Sequence, residues 1–251
     1  MTLDLITLEI GKEFLRKTDI DYPSESSDQQ QDKSAPPLEL PIDQTQPFIN
    51  LPTITEANLL KFDLNIAINR RKSIRKFSKK SLTLDELSYL LWATQGIKDI
   101  VNDRVTIRTV PSAGARHAFE TFLYVDNVDG LENGLYRYIA STHQLTLIQR
   151  NSSFKDDLIK ASGEQSCFKT AAVSFIWVAV TYRMTYRYKE RGFRYLFLDA
   201  GHVCQNLYLA VEAINCGTVA IGYYHDQLIN KLLDIDGFEK FVIYMAPVGK
   251  K

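Results

Sequence analysis

The amino-acid sequence predicts an α+β domain, and three observations carry the prediction. Helix-period segments with cap signals occupy the part of the chain before residue 100. Short alternating strands follow Pro111. A long helix and further strands then complete the chain, without the regular strand–helix rhythm of a doubly wound sheet.

The first stretch, "MTLDLITLEIGKEFLRKT", carries Asp4 and Glu9 and has no basic region before an apolar core. It reads as an amphipathic helix over residues 1 to about 17 and not as a signal peptide. Residues 18–50 are rich in Ser, Gln, Asp and Pro with few large apolar side chains, the composition of an extended, mobile arm. The chain thus divides into residues 1–50, helix and polar arm, and a folded domain over 51–251.

Order resumes near Thr53. Leu60, Leu64, Ala67, Ile68 and Arg71 follow helical spacing, so the helix presents an apolar face and ends close to the basic run that follows. In "SLTLDELSYLLWATQG", Thr83 and Glu86 make a capping box, Leu87, Leu90 and Leu91 a buried stripe, and Gly96 the stop. "TFLYV", "GLYRY" and "QLTLI" alternate between turn residues and read as strands, and "VSFIWVAVTY" as a longer buried one. "LDAGHVCQNLYLAVEAINCG" returns to helical period with Gly217 as its cap. "TVAIGYY" reads as a strand entering a glycine turn, "DQLINKLLD" as a short helix and "KFVIYMAPVGK" as a last strand.

Composition bounds the function. The 251 residues hold 30 basic and 30 acidic side chains, and 45% are hydrophobic. That excludes a wholly disordered chain and argues against a general polyanion binder, so no nucleic-acid partner is expected. No apolar run is long enough to span a membrane. Cys167, Cys204 and Cys216 lack metal-ligand spacing and read as small core residues of a protein in the reducing cytoplasm. No metal site is expected, and no GxGxxG fingerprint is present.

Against this neutral background, "RRKSIRKFSKK" places seven basic residues in eleven positions, between two helices. Arg71, Ser73 and Arg75 alternate and would share one side of an extended connector, with Ile74 and Phe77 as core anchors. Guanidinium and hydroxyl donors without competing carboxylates suit a phosphate. Solvated charge near a helix end is the competing reading. "RTVPSAGARHAFE" packs small residues that let backbone approach a flat ligand, or form an ordinary turn. Gly222 in "TVAIGYY" would let strand-exit donors face a ring. Lys250 and Lys251 add a terminal cation pair. His117 falls in the small-residue loop, His202 is expected packed or capping on its helix, and His225 lies near Gly222.

In this order, from about Leu59 to the end, the segments resemble the nitroreductase superfamily of FMN-dependent oxidoreductases, and within it the SagB-type dehydrogenase branch. The resemblance implies a nitroreductase-like fold, with a central mixed or antiparallel sheet flanked by helices, in an intertwined homodimer. It implies FMN at the dimer interface, with Arg71, Lys72, Ser73 and Lys250 on the phosphate side and Arg75 at the pyrimidine edge. Pro111, Ser112, Ala113, Gly114 and Ala115 would come from the partner subunit, and the backbone of Ile221 and Gly222 would lie near the reactive edge. Hydride then passes through flavin N5 to or from a small organic substrate, with NAD(P)H as a possible electron donor.

In peptide-modifying relatives that oxidise azolines to azoles, a Lys-Tyr pair does acid/base work. Here Arg187 and Tyr188 stand in that place, and arginine is a poor proton shuttle. Azoline oxidation on a ribosomal peptide, and a flavin-binding module without its own turnover, are the competing functions. Tyr188, Tyr223 and Tyr224 are candidates for a substrate-side wall.

Overall fold

The computed structural model describes residues 3–55, 60–102 and 104–251, with side chains from residue 9 onward. The expected helix start at residue 1 and the start of the resemblance at Leu59 lie outside the described residues. A seven-stranded sheet forms the centre. Its order is β1 (Phe48–Asn50), β6 (Gln144–Gln149), β5 (Gly134–Ile139), β4 (Phe119–Val125), β7 (Val173–Val180), β9 (Lys240–Lys250) and β8 (Cys216–Thr218). Every pair of neighbours is antiparallel. A hairpin of β2 (Ile97–Val101) and β3 (Val105–Arg108) stands apart from this sheet.

Alternation along the strands sends side chains to both faces. Leu123, Phe175, Trp177, Ala246 and Val248 face one core, with α3 (Leu84–Gln95) and the long α6 (Arg191–Ala213). Phe122, Tyr124, Ile176, Val178 and Met245 face the other, with α4 (Phe154–Ala161) and α7 (Asp226–Leu232). The central β7 is covered on both sides, which is why it is apolar apart from Ser174. Leu87, Leu90 and Leu91 are fully buried, and the Thr83–Glu86 capping box is formed in both directions.

Four elements differ from expectation. Helix α2 spans only Leu64–Arg70, because Asp63 caps it by accepting from Asn65 and Ile66 N–H. Ala67 is its one buried residue, whereas Leu64 and Ile68 are 60% and 56% exposed, so the apolar face points outward. The strand at 173–182 stops at Val180, and Thr181 and Tyr182 open α5 (Thr181–Tyr188). Helix α6 is ended by Asn215 in the left-handed region (φ 53°), not by Gly217, which lies in β8. "TVAIGYY" keeps only its first residue in β8, and Ile221 makes an isolated bridge to Met245.

The polar arm is extended, but it is also pinned. Phe48–Asn50 pair with β6 as the sheet's edge strand. Arg183 donates to Pro37 O at 2.9 Å and Arg137 to Pro41 O at 2.8 Å, while the Leu40 N–H donates to the buried Glu120 carboxylate at 2.8 Å. The arm gains its order from polar contacts with the sheet and α5, a source that its own poor apolar content does not reveal.

Candidate functional site

The basic run is an extended strand edge. Ser73 bridges Thr218 in parallel, the Ile74 N–H donates to Thr218 O at 2.8 Å, and the Ser78 N–H donates to Lys250 O at 2.9 Å. Two glycines seat its anchors. A Cβ on Gly217 would lie 2.7 Å from Ile74 Cβ, and one on Gly249 would lie 2.6 Å from Phe77 Cβ. Both glycines are therefore required by close packing of the connector, and this fixes the outward register of Arg71, Ser73 and Arg75.

Tyr208 on α6 organises the near end of the run. Its hydroxyl lies 2.9 Å from Ser73 Oγ and accepts the Ala220 N–H at 2.9 Å, and the Arg71 guanidinium sits over its ring at 5.3 Å. Arg71, Lys72 and Arg75 have no carboxylate within ion-pair distance among the described residues. Lys250 does not join them. Its ammonium is committed to Glu86 and, at 3.3 Å, to Ile214 O.

The small-residue loop forms a second centre. Ser112 precedes a single 3-10 turn at Ala113–Ala115, and Gly114 (φ 55°), Ala115 (φ 53°) and His117 (φ 42°) all take left-handed backbone. Two of these are not glycine, a strain of the kind that a surrounding framework must hold. Asp199 supplies it. This buried carboxylate on α6 accepts the Ala113 N–H at 3.2 Å, and burial raises its pKa against the opposing pull of Ser112. Ser112 Oγ accepts the His117 N–H at 2.9 Å. His117 is itself buried, and burial, then Arg108 and Arg116, lower its pKa to about 3, so the ring is neutral.

Arg187 and Tyr188 lie against this loop. A Cβ added to Gly114 would collide with the Tyr188 hydroxyl and come within 3.3 Å of Arg187 Nη1. The Arg187 guanidinium covers the Tyr188 ring at 5.4 Å, and Tyr195 packs edge-on against the same ring. The loop thus shares a neighbourhood with its own chain's Arg187 and Tyr188.

The Ile221 and Gly222 expectation divides. The Ile221 N–H donates to Met245 O at 2.8 Å and its carbonyl accepts from Met245, so its backbone is spent inside the sheet. Gly222 is exposed and has only the Tyr244 ring, at 3.7 Å, near its missing Cβ. Tyr223 is exposed, while the Tyr224 hydroxyl donates to Val242 O at 2.8 Å. His202 is exposed on α6, neither packed nor capping, and His225 is exposed as well. The three cysteines are free and buried, as expected of core residues. No cluster of metal ligands occurs among the described residues, and no described helix is long and apolar enough to cross a membrane.

Tyr208 and Asp199 were not foreseen, although each left a trace. Asp199 is an acid in phase with the apolar stripe Leu196, Ala200 and Val203, and Tyr208 stands within the same helix's buried face. The nine-residue interval between them spans about 13 Å of helix and places them on opposite sides of it. One chain therefore presents two half-sites, set apart along and around α6.

Comparison with known proteins supplies a family. A family model described as "Nitroreductase family" matches residues 68–250. A "putative nitroreductase" of Methanocaldococcus jannaschii is 35% identical over 203 residues, 81% of this chain and 96% of its own. The trifolitoxin-processing protein TfxB of Rhizobium leguminosarum bv. trifolii is 28% identical, and the match spans 77% of this chain but only 54% of TfxB. A crystal structure of a "putative nitroreductase" from Anabaena variabilis superimposes with a TM-score of 0.67 at 29% identity, covering 82% of this chain and 42% of that one. A nitroreductase-fold structure in complex with FMN, from Desulfovibrio desulfuricans, covers 75% of this chain and 86% of its own with a TM-score of 0.52 at 17% identity.

Proposed function

The chain belongs to the nitroreductase family, and we propose that it is an FMN-dependent oxidoreductase, acting as a homodimer with a SagB-type site. The observation that carries this reading is the connector's donor set. Arg71, Lys72, Ser73 and Arg75 offer two guanidinium groups, an ammonium and a hydroxyl, with no ion-paired carboxylate among the described residues. Such a set suits a phosphate monoester and a polar ring edge. The exposed backbone of Gly114 and the open face at Gly222 leave room for a planar ring.

FMN, when bound, supplies hydride transfer at its N5. The chain's own residues bind and orient. Arg71, Lys72 and Ser73 hold the phosphate, with Tyr208 fixing the first and last of them. Arg75 faces the pyrimidine edge. Ser112 and Ala113, held by Asp199, present small-residue backbone to the ring. Tyr188 holds a proton at its phenol oxygen beside that loop, and Arg187 keeps a fixed positive charge there.

The two half-sites on opposite sides of α6 support dimerisation. A two-fold partner would bring its loop half against this chain's phosphate half. The surface that such a partner needs is present, because Leu64, Ile68, Phe197 and Leu198 are exposed. At Leu64 a cavity of about 370 Å³ is lined also by Leu60, Phe62, Trp92 and Leu209. Similarity to TfxB favours one specific second reading, azoline oxidation on a peptide with Tyr188 as the acid/base.

The test is reconstitution with excess FMN, gel filtration and measurement of retained flavin and of mass. Arg71→Ala and Arg75→Ala should each weaken retention strongly, and Lys79→Ala should hardly change it. Protein that never holds flavin, or equal losses in all three variants, would overturn the reading. NAD(P)H turnover with nitroarenes or quinones, set against azoline peptides, separates the two reactions. Flavin that is reduced but passes electrons to no acceptor tested marks a module without turnover.

A further inference from the structure

A cavity of about 820 Å³ lies under the N-terminal arm, away from the basic connector. It is walled by residues 32–38 of the arm, by Arg104 and Val105, and by Arg116 and Tyr186. This volume falls in the range that encloses a whole small-molecule ligand. The arm is secured as a wall: the Tyr186 hydroxyl donates to Lys33 O at 2.8 Å, and the Gln29 N–H donates to Tyr186 O at 3.0 Å.

The wall's charge is unbalanced. Lys33 is neutralised by Asp28 at 2.7 Å, which leaves, among the described lining residues, Arg104 and Arg116 against the carboxylate of Asp32. Neither arginine has an ion-pair partner among the described residues. Arg116 is half-buried, and its Nε donates to Gly114 O at 3.1 Å, so both terminal nitrogens are left for another acceptor. It also lies near Arg187, which adds repulsion to the cost of burial. A desolvated guanidinium beside a second one is unfavourable by itself, and an anion between them offsets the cost.

Arg116 also joins the cavity to the loop, since it lines one and bonds the carbonyl of Gly114 in the other. Tyr188 packs on that same glycine. Resting on the reading of this loop and Tyr188 as the reaction centre, the geometry points to a carboxylate-bearing substrate. Its anion is taken by the fork of Arg116, its body occupies the space under the arm, and its reacting end lies at Tyr188. Arg104 adds a more distant positive charge to the same space. The arm is then part of the substrate pocket.

The probe pair is para-nitrobenzoylglycine and its glycinamide, which differ in the carboxylate alone. Each is titrated calorimetrically into the full-length protein in the presence of excess FMN, with retained flavin measured separately. The acid should bind more tightly by on the order of ten- to a hundredfold. Arg116→Gln should abolish that preference, and Arg116→Lys should keep part of it, because the charge remains without the fork. Arg104→Gln should reduce it less. Thermal melts report folding; if Arg116→Gln does not fold, the lysine variant and Arg104→Gln decide. Equal binding of acid and amide by flavin-holding protein, or an undiminished preference in Arg116→Lys and Arg116→Gln, overturns the inference. A preference that persists in protein holding no FMN leaves the anion site standing and sinks the flavin reading instead.

Discussion

Replacing His117 by Asn should remove about 2 kcal/mol of the loss of stability between about pH 7.5 and about pH 5. His117 is buried in the loop that Asp199 holds, and Arg108 and Arg116 both face it. Burial and these two cations depress its pKa from 6.5 to about 3. The unfolded chain therefore takes up a proton near pH 6.5 that the folded chain refuses. The stability linked to this ring is fully present above the unfolded value and is lost as pH falls toward the folded one. Integrated over the interval, the loss is about 2 kcal/mol, which corresponds to roughly 4–8 °C in Tm for a domain of this size.

Asn is the informative replacement. It tolerates left-handed backbone, as the φ of 42° demands, and it keeps the N–H that donates to Ser112. His143 is also lowered by burial, but it is present in both proteins and cancels in the comparison. Urea unfolding of the two proteins at both pH values measures the effect, whatever the variant's absolute stability. An equal fall in stability for both proteins would refute the assignment of a buried, neutral His117.

Three further outcomes follow from the site. Gly249→Ala places a methyl against Phe77 and should cost about 1–3 kcal/mol, with weaker FMN retention; urea unfolding and flavin titration check both effects. Tyr208→Phe removes the hydroxyl shared by Ser73 and the Ala220 N–H, so FMN affinity should fall and stability should drop by about 1–2 kcal/mol. Retained Ser73 function with unchanged flavin affinity would count against Tyr208 as organiser. Gly114→Ala forces a methyl into the Tyr188 hydroxyl at a left-handed position. Stopped-flow oxidation of the reduced flavin should slow on the order of tenfold or more, and an unchanged rate would remove Tyr188 from the reaction.

What could be read in advance was local or periodic. Thr83 and Glu86 lie within one helical turn, so their capping box needs nothing distant, and the burial of Leu87, Leu90 and Leu91 follows from the same period. Gly217 reads locally as a helix cap, and nothing near Gly249 in the sequence explains it. Their cause is the two anchors of a connector more than a hundred residues earlier in the chain. Lys250 shows the same limit: its cation pairs with Glu86, itself engaged in capping α3. Helix α2 was read by its period, yet period cannot distinguish a face turned to the chain's own core from one left for a partner.

The neutral net charge is the clearest case of a total concealing a distribution. Arg183 is held by Glu120 at 2.6 Å, Lys155 by Asp126 at 2.6 Å and Lys251 by Glu212 at 2.6 Å, while Lys250 faces Glu86. These carboxylates are therefore occupied elsewhere in the fold. Among the described residues, the cations of residues 71–75 and Arg116 are left without an ion-pair partner at the two half-sites. A chain with no overall excess of positive charge can thus hold concentrated, uncompensated guanidinium groups where anionic ligands would meet them, because coulombic attraction is decided within a few ångströms and not by the sum over the chain.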